Sequence, residues 1–387
     1  MEPLSSSLQA RKREGTLRSL RPASLREGGR IYFGKKRLLD MASNDYLGLS
    51  GHPELKKAAA EAAQRYGTSS AASRLLSGDL ESFHELEETV ASFKGKEAAL
   101  IFNTGYQANI GVISALCGRD DIVLLDRLSH ASIIDGAVQS KAHLVRFRHN
   151  DVRHLEELLK EKRHRHRRSL ILTESVFSMD GDIAPVKRIA ELKEEFDSFF
   201  MLDEAHATGI FGPSGSGIAE REGVTQSVDV IMGTFGKALG SFGAYVALSD
   251  VMRDFLVNNA RSFIYSTALP PSVIAASQQA IRLLAEEPER RERLLEMSSR
   301  FRREVSALGL ETLGESQIVP VVAGDTETAL SWSRELFEAG YWVPAIRPPT
   351  VPKGSSRLRF SLNFTHSPED MDGLLRHLGR LKIGERP

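Results

Sequence analysis

Seven short apolar runs punctuate the middle of the chain: Ala98–Phe102, Ile122–Leu125, Leu144–Phe147, Leu170–Thr173, Phe199–Leu202, Val230–Met232 and Ala244–Leu248. Each is apolar throughout instead of alternating, the pattern of a strand covered on both faces. Between most of them lie stretches with apolar residues at helical spacing: Asn109–Leu116, Ser132–Gln139, Val152–Lys162 and Val186–Glu195. Strand, helix, strand at this pitch predicts βαβ units and a mostly parallel, seven-stranded sheet with helices on both faces, an α/β fold.

The ends read differently. Residues 1 to about 50 predict an amphipathic helical arm, with Leu8, Leu17 and Leu20 among arginines, then short strands around Ile31–Phe33 and Leu38–Met41. Two long helical stretches, Ser272–Leu284 and Glu289–Leu308, precede short strands at Ile318–Val322 and Arg357–Leu362 and a last helix from Pro368. The expected organisation is an N-terminal arm (1–50), a large α/β domain (51–280) and a smaller α+β domain (281–387), with the boundary near residues 270–288.

Composition narrows the function. Lys+Arg and Asp+Glu are 51 each, so the 387-residue chain has zero formal net charge. That argues against a nucleic-acid coat and against general attraction to an anionic membrane. The one cysteine, Cys117, excludes an internal disulfide and any multi-cysteine metal site, and no metal site is expected. No apolar segment has signal-peptide or membrane-span length, so a soluble, cytoplasmic protein is expected. The run KEKRHRHRR at Lys160–Arg168 reads either as a phosphate-binding patch or as a solvated helix end; zero net charge favours the second.

Several motifs fail on inspection. Gly236-Lys237-Ala238 lacks the Ser or Thr of a P-loop, and position 231 is Ile where its first glycine belongs. Gly212–Gly217 (GPSGSG) has neither dinucleotide-loop spacing nor a nucleophile elbow. His84-Glu85 is not followed by the second histidine of a zinc protease. What remains is four polar clusters, each ending an apolar run: Asn103–Tyr106, Ser175–Gly181, Asp203–His206 and Thr234–Lys237. In open α/β sheets, ligands bind outside the carboxyl ends of the strands.

These clusters supply what a pyridoxal phosphate site needs. Lys237, between Gly236 and Gly240, offers an amine for the cofactor aldehyde. Asp203, after the run FFML, offers a buried acid for the pyridine nitrogen. His130 offers a flat ring, and Gly105 opens a helix whose N-terminus suits a phosphate, with Thr234 and Ser178 as nearby hydroxyls. Each has a plainer alternative: Lys237 a solvated charge, Asp203 or His130 a helix cap, Gly105 a turn. Their joint occurrence in order at strand ends outweighs these.

The segments TFGKALGSFGAYV from Thr234, DEAHATGIFGPSGSG from Asp203, ESVFSMDGDIAP from Glu174 and SNDYLGLSGHP from Ser43 resemble the α-oxoamine synthases, which are fold-type I pyridoxal phosphate enzymes. The resemblance runs from about Leu8 to the last helix. FIYSTALPP (Phe263–Pro271) and AIRPPTVPKGSSRLRFSL (Ala345–Leu362) are most similar to the branch that joins L-alanine to a pimeloyl thioester in biotin biosynthesis, releasing carbon dioxide; the alternative is a sister branch such as the one joining glycine to acetyl-CoA. The resemblance implies Lys237 as Schiff-base lysine and proton-transfer base, Asp203 on the pyridine nitrogen, and His206 with Ser178 on the phenolic oxygen. It implies His130 over the ring and at the substrate, and Gly105, Tyr106 and Thr234 at the cofactor phosphate. Ser266 and Thr267 would reach the phosphate of a neighbouring subunit, making a homodimer with shared sites. Asn44 and Arg359 would hold the amino-acid carboxylate, and Arg18 and Thr350 would contact the acyl substrate, whose carrier is coenzyme A or a carrier protein. Arg21 competes with Arg18 for that role, Arg359 could form a structural ion pair, and Thr350 could simply make a turn. One departure stands out: Ala71 and Ala72 replace glycines expected before Ser73-Arg74-Leu75, which leaves the acyl chain length open.

Overall fold

The computed structural model describes residues 2–381. In chain order, the helix Glu2–Arg13 is followed by strands β1 (Leu25–Glu27), β2 (Arg30–Phe33) and β3 (Lys36–Asp40). Helices Pro53–Tyr66 and Glu81–Lys94 precede β4 (Ala98–Phe102), β5 (Ile122–Asp126), β6 (His143–Phe147), β7 (Ser169–Glu174), β8 (Phe199–Asp203), β9 (Val230–Thr234) and β10 (Ala244–Leu248). After helices Asp250–Asn259, Pro271–Glu286 and Glu289–Ala307 come β11 (Ile318–Gly324), the helix Thr326–Glu338, β12 (Tyr341–Trp342), β13 (Ala345–Ile346), β14 (Ser356–Ser361) and the helix Pro368–Leu378.

Two compact units divide the chain. Leu49–Ser178 with Ile183–Glu292 form the larger, and the remaining described residues form the smaller. The larger unit carries the seven-stranded sheet, in the order β4-β10-β9-β8-β7-β5-β6. All its neighbours from β9 to β6 pair in parallel, while β10 runs antiparallel to both β9 and β4. The apolar runs follow from this. Every residue of β4, β5, β7 and β10 is buried, because helices cover both faces. Leu100, Phe102, Val112, Ile113, Val123, Leu125, Leu172, Met201, Met232 and Val246 share one core. Burying each such side chain is worth roughly 1.5–3 kcal/mol. The strand order reverses between β5 and β7, so this unit has its topological switch point there.

The smaller unit holds two sheets, β1-β2-β3-β12 and β11-β14-β13. Here the expected organisation needs correction. β3 pairs in parallel with β12, Leu39 opposite Tyr341 and Asp40 opposite Trp342, so the expected arm and the C-terminal residues form one unit. The expected boundary at residue 280 falls inside the helix Pro271–Glu286, which belongs whole to the larger unit. The expected helical arm is also shorter. It ends at Arg13, and Gly15 turns left-handed at φ +64°, so Leu17 and Leu20 lie beyond it.

Among the described residues, four helices of ten or more residues have no counterpart in the sequence reading: Pro53–Tyr66, Glu81–Lys94, Asp250–Asn259 and Thr326–Glu338. Pro53–Tyr66 buries only Leu55 and Ala62, too thin a stripe to see. Glu81–Lys94 buries Glu87 and Lys94, polar residues on its inner face. Among the described residues no helix is long and apolar enough to cross a membrane.

Candidate active site

The carboxyl ends of β7, β8 and β9, the loop after β5 and the start of helix Gly105–Leu116 enclose a crevice of about 200 Å³ in the larger unit. Its walls include Gly105, Tyr106, His130, Asp203, His206, Thr234 and Lys237, and also Asn109, Ser132 and Glu174. The switch point places it there. Glu174 ends β7 and sits in register with Asp203, which ends β8 and faces Met232 of β9.

Asp203 is 6% exposed. Its Oδ1 accepts the Ala205 N–H at 2.9 Å and its Oδ2 accepts the Asn109 amide at 3.0 Å. No helix directly follows Asp203, so it caps none; its carboxylate closes a turn on residue 205 and still borders the crevice. The Glu204 N–H continues the ladder onto the Met232 carbonyl at 2.7 Å, and the Ala207 and Thr208 N–H groups then turn back onto the Glu204 carbonyl, bringing His206 to the wall. Lys237 arrives from the other side. Phe235, fully buried, anchors its loop, and Gly240 donates to the Lys237 carbonyl at 2.9 Å. Gly240 has φ +62°, and a Cβ there would run into the backbone of Leu49 and Ser50. Lys237 Nζ ends 2.8 Å from His206 Nε2.

His130 both caps and faces the crevice. Its Nδ1 accepts the Ser132 N–H of the helix Ala131–Ser140, and its own N–H donates to Glu174 Oε1 at 2.6 Å. Burial, then the negative charge of Asp203, holds the Glu174 carboxyl well above the usual carboxylate range. Burial likewise lowers the His130 imidazole, against the pull of Asp203. Thr104 caps the helix Gly105–Leu116 by accepting from Gln107 N, which leaves the Gly105 and Tyr106 N–H groups for an anion. The Tyr106 ring stands edge-on to His130, centroids 6.5 Å apart, and its hydroxyl bonds Asp135. Thr234 Oγ1 donates to the Gly243 carbonyl at 2.8 Å and accepts from Gly236 N, so it also braces its own turn. An amine, a buried carboxylate, two imidazoles and a helix N-terminus around one crevice fit pyridoxal 5'-phosphate as a donor set.

Other expected residues lie elsewhere. Ser178 sits in the turn closed by the bridge between Val176 and Ile183 and outside the crevice lining. Ser266 and Thr267 line a separate small cavity with Arg74 and Asn103, and Asn103 Nδ2 donates to the Thr267 carbonyl at 2.7 Å. In the smaller unit, Arg359 is held among the Asn44 amide oxygen and the Tyr46 hydroxyl, each at 3.3 Å, and the Ser361 hydroxyl at 2.7 Å. Arg18 donates to Thr350 Oγ1 at 2.8 Å, whereas Arg21 stacks on Phe337 at 4.0 Å and on Phe33 at 4.8 Å. Ala71 takes φ +57°, the left-handed conformation for which glycine is the usual residue. The basic run is locally paired: Lys160 with Glu156, Arg163 with Asp197, and Arg167 and Arg168 with Asp121. Among the described residues no group of His, Cys, Asp or Glu gathers to hold a metal ion.

A family model for aminotransferase class I and II matches residues 36–378. The chain belongs to that family. An 8-amino-7-oxononanoate synthase of Geobacter sulfurreducens is 48% identical over 382 residues, 98% of this chain and 97% of that protein. One from Geotalea daltonii is 47% identical, covering 99% of each. Among solved structures of the family's fold, a Sphingomonas wittichii serine palmitoyltransferase superposes with TM-score 0.93 at 31% identity, covering 100% of this chain and 98% of that one. An 8-amino-7-oxononanoate synthase from Francisella tularensis gives TM-score 0.77 at 28% identity, over 89% of this chain and 97% of that one.

Sequence reasoning passed over Asn109, Ser132, Glu174, Lys94 and Glu204. Their signal was a polar residue inside an otherwise apolar stretch or at a strand end. Lys94 and Glu204 form the floor beneath the Asp203–His206 turn. Their side chains are 0% and 1% exposed, and Lys94 Nζ lies 2.8 Å from Glu204 Oε2. The ammonium also donates to Thr208 Oγ1 at 3.1 Å and to the Ser216 carbonyl, so all three protons are used. Burial lowers the Lys94 pKa and the Glu204 charge raises it, for a net rise. The glycine run 212–217 wraps this pair: Gly217 has φ +139°, and a Cβ there would strike the Glu204 carboxylate. Lys94→Met leaves that carboxylate buried without a cation and is expected to cost about 3–5 kcal/mol in urea unfolding. Adding Glu204→Gln should restore most of it. A loss below about 1 kcal/mol for Lys94→Met contradicts the pairing.

Proposed function

We propose that this chain condenses L-alanine with a pimeloyl thioester to give 8-amino-7-oxononanoate, carbon dioxide and the free thiol, with pyridoxal 5'-phosphate as cofactor. The observation that carries the reading is the convergence of Lys237, Asp203, His206 and His130 on one crevice. It occurs in a chain nearly half identical, end to end, to proteins that bear the synthase name. The pathway is biotin biosynthesis, the acyl carrier is coenzyme A or a carrier protein, and the compartment is the cytoplasm.

When bound, pyridoxal 5'-phosphate supplies a conjugated ring that takes up the electron pair left at the amino-acid Cα. Lys237 would hold its aldehyde carbon, and as a free amine Lys237 would remove the Cα proton of alanine and later return one. Asp203 keeps the ring nitrogen protonated, because a buried carboxylate favours a cation beside it. His206, which lines the crevice, would serve the phenolic oxygen. The Gly105 and Tyr106 end of the helix and Thr234 hold the phosphate. His130 covers the ring and donates a hydrogen bond to the acyl carbonyl oxygen as charge develops there. The new bond joins the alanine Cα to the thioester carbonyl carbon; the thiolate leaves, then carbon dioxide leaves from the alanine carboxylate.

Arg359 and Asn44 are assigned to that carboxylate, which a guanidinium fork suits. Arg18 and Thr350 are assigned to the acyl substrate, and their contact with each other supports the choice of Arg18 over Arg21. Ser266 and Thr267, outside their own chain's crevice lining, are assigned to the cofactor phosphate of a second subunit in a homodimer.

Two measurements test this. Mass spectrometry of protein supplied with cofactor, L-alanine and pimeloyl-CoA should show 8-amino-7-oxononanoate, and Lys237→Ala should cut its rate by at least about 10³-fold. Turnover of glycine with acetyl-CoA in its place contradicts the substrate assignment. For the shared site, Lys237→Ala subunits mixed with Ser266→Ala/Thr267→Ala subunits should regain activity that neither has alone. Exchanged dimers that stay inactive contradict it.

A further inference from the structure

Two fully buried polar side chains stand beside the crevice without a part in the chemistry above. Asn109 lies on the helix Gly105–Leu116 and Ser132 on the helix Ala131–Ser140, each 1% exposed. Asn109 Nδ2 is 3.0 Å from Asp203 Oδ2 and 2.8 Å from Ser132 Oγ. Ser132 Oγ is 2.7 Å from His130 Nδ1, and the Ser132 backbone nitrogen is 3.2 Å from the same ring atom.

The direction of every bond in this series follows from its two ends. An ionised carboxylate only accepts, so Asn109 presents its NH₂ group to Asp203 and not its carbonyl oxygen. The second hydrogen of that NH₂ goes to Ser132 Oγ, which therefore accepts. A backbone N–H only donates, so His130 Nδ1 carries no proton. The Ser132 hydroxyl hydrogen then also points at Nδ1. A neutral imidazole with a bare Nδ1 carries its proton on Nε2.

We propose that Asn109 and Ser132 are positioning residues: with the Ser132 backbone N–H they hold His130 in the Nε2–H tautomer, and their side chains tie its ring to the Asp203 carboxylate. The catalytic meaning of the lock rests on the function proposed above, since only an Nε2–H donor can serve an acyl oxygen at that edge of the ring. The lock also opposes the imidazolium, because a proton on Nδ1 would face the Ser132 N–H, which only donates, and would force the Ser132 hydroxyl to turn away. Other groups act on the ring as well. Burial and Lys237, from the loop after β9, oppose its protonation; Asp203 of β8 and Asp135 of its own helix favour it. Glu174 of β7 takes the His130 N–H, and Tyr106 meets the ring edge-on.

The test is ¹⁵N NMR of the full-length protein labelled at histidine, across pH, before and after adding pyridoxal 5'-phosphate, with His130 assigned by its loss in His130→Gln. The unmodified protein should show a bare Nδ1 and a protonated Nε2, with a midpoint below the usual 6.5 for histidine. Ser132→Ala and Asn109→Ala should each raise that midpoint by about half to one pH unit. Ser132→Thr, which keeps the hydroxyl, should restore the original spectrum. Ser140→Ala, a buried serine of the same helix that bonds the Ala137 carbonyl, should change nothing. A proton on Nδ1 in the unmodified protein, or a spectrum unmoved by both alanine variants, overturns the proposal. The unmodified spectrum and Ser132→Ala carry the test even if Asn109→Ala does not fold. If the tautomer is as expected but no visible cofactor band forms, the proposed function fails and the lock stands.

Discussion

The structure of the crevice depends on a carboxylate placed where water hardly reaches. Asp203 ends a buried strand, and a buried charge needs partners close at hand. Two are local, the Ala205 N–H and the Asn109 amide. The third constraint comes from the neighbouring strand, where Glu174 sits in register with Asp203. Two carboxyls this close in a dry site resist ionising together, and the burden falls on Glu174, whose pKa burial and the Asp203 charge push well up. Glu174 in turn takes the His130 N–H, so one strand register fixes the acid, its neighbouring carboxyl and the imidazole.

Beneath this layer the Lys94–Glu204 pair does a different job. Burying two charges costs several kcal/mol per ion, and here the cost is offset by saturated hydrogen bonding: three acceptors around the ammonium, and the Ala219 N–H at 2.9 Å on the free carboxylate oxygen. The pair sets the turn between Asp203 and His206 against the helix Glu81–Lys94. The glycine-rich run 212–217 belongs to the same device. Its glycines resemble a phosphate loop in composition only; Gly217 brings backbone against the Glu204 carboxylate, and Gly212 makes room for the Glu220 carboxylate.

The seven strands and the four polar strand ends were legible in the sequence for the same reason: a strand covered on both faces must be apolar throughout, and it can turn polar only where it emerges. Lys237, Asp203, His206 and His130 could be found because they stand at such ends. Asn109, Ser132 and Lys94 could not, since each lies within a helix and its partner is more than 90 residues away or hidden by a local cap. The arm was misread because the leucines keep a rough helical spacing across Gly15, which stops the helix. The joining of the two chain ends was invisible for a similar reason: β12 is two residues long, and only its pairing with β3 makes it a strand.

The central claim is that Asp203 acts through its charge on the cofactor ring and is more than a turn-closing residue. Asp203→Asn keeps the size and one hydrogen-bonding oxygen, and as a cap Asn serves about as well as Asp. Exchange of the alanine Cα proton in heavy water, followed by NMR on the cofactor-loaded protein without acyl substrate, separates the two roles. Losing a desolvated charge pair at the reacting centre should slow exchange by at least about 100-fold. Exchange within a few-fold of the unmodified protein would show that Asp203 does not serve the ring nitrogen.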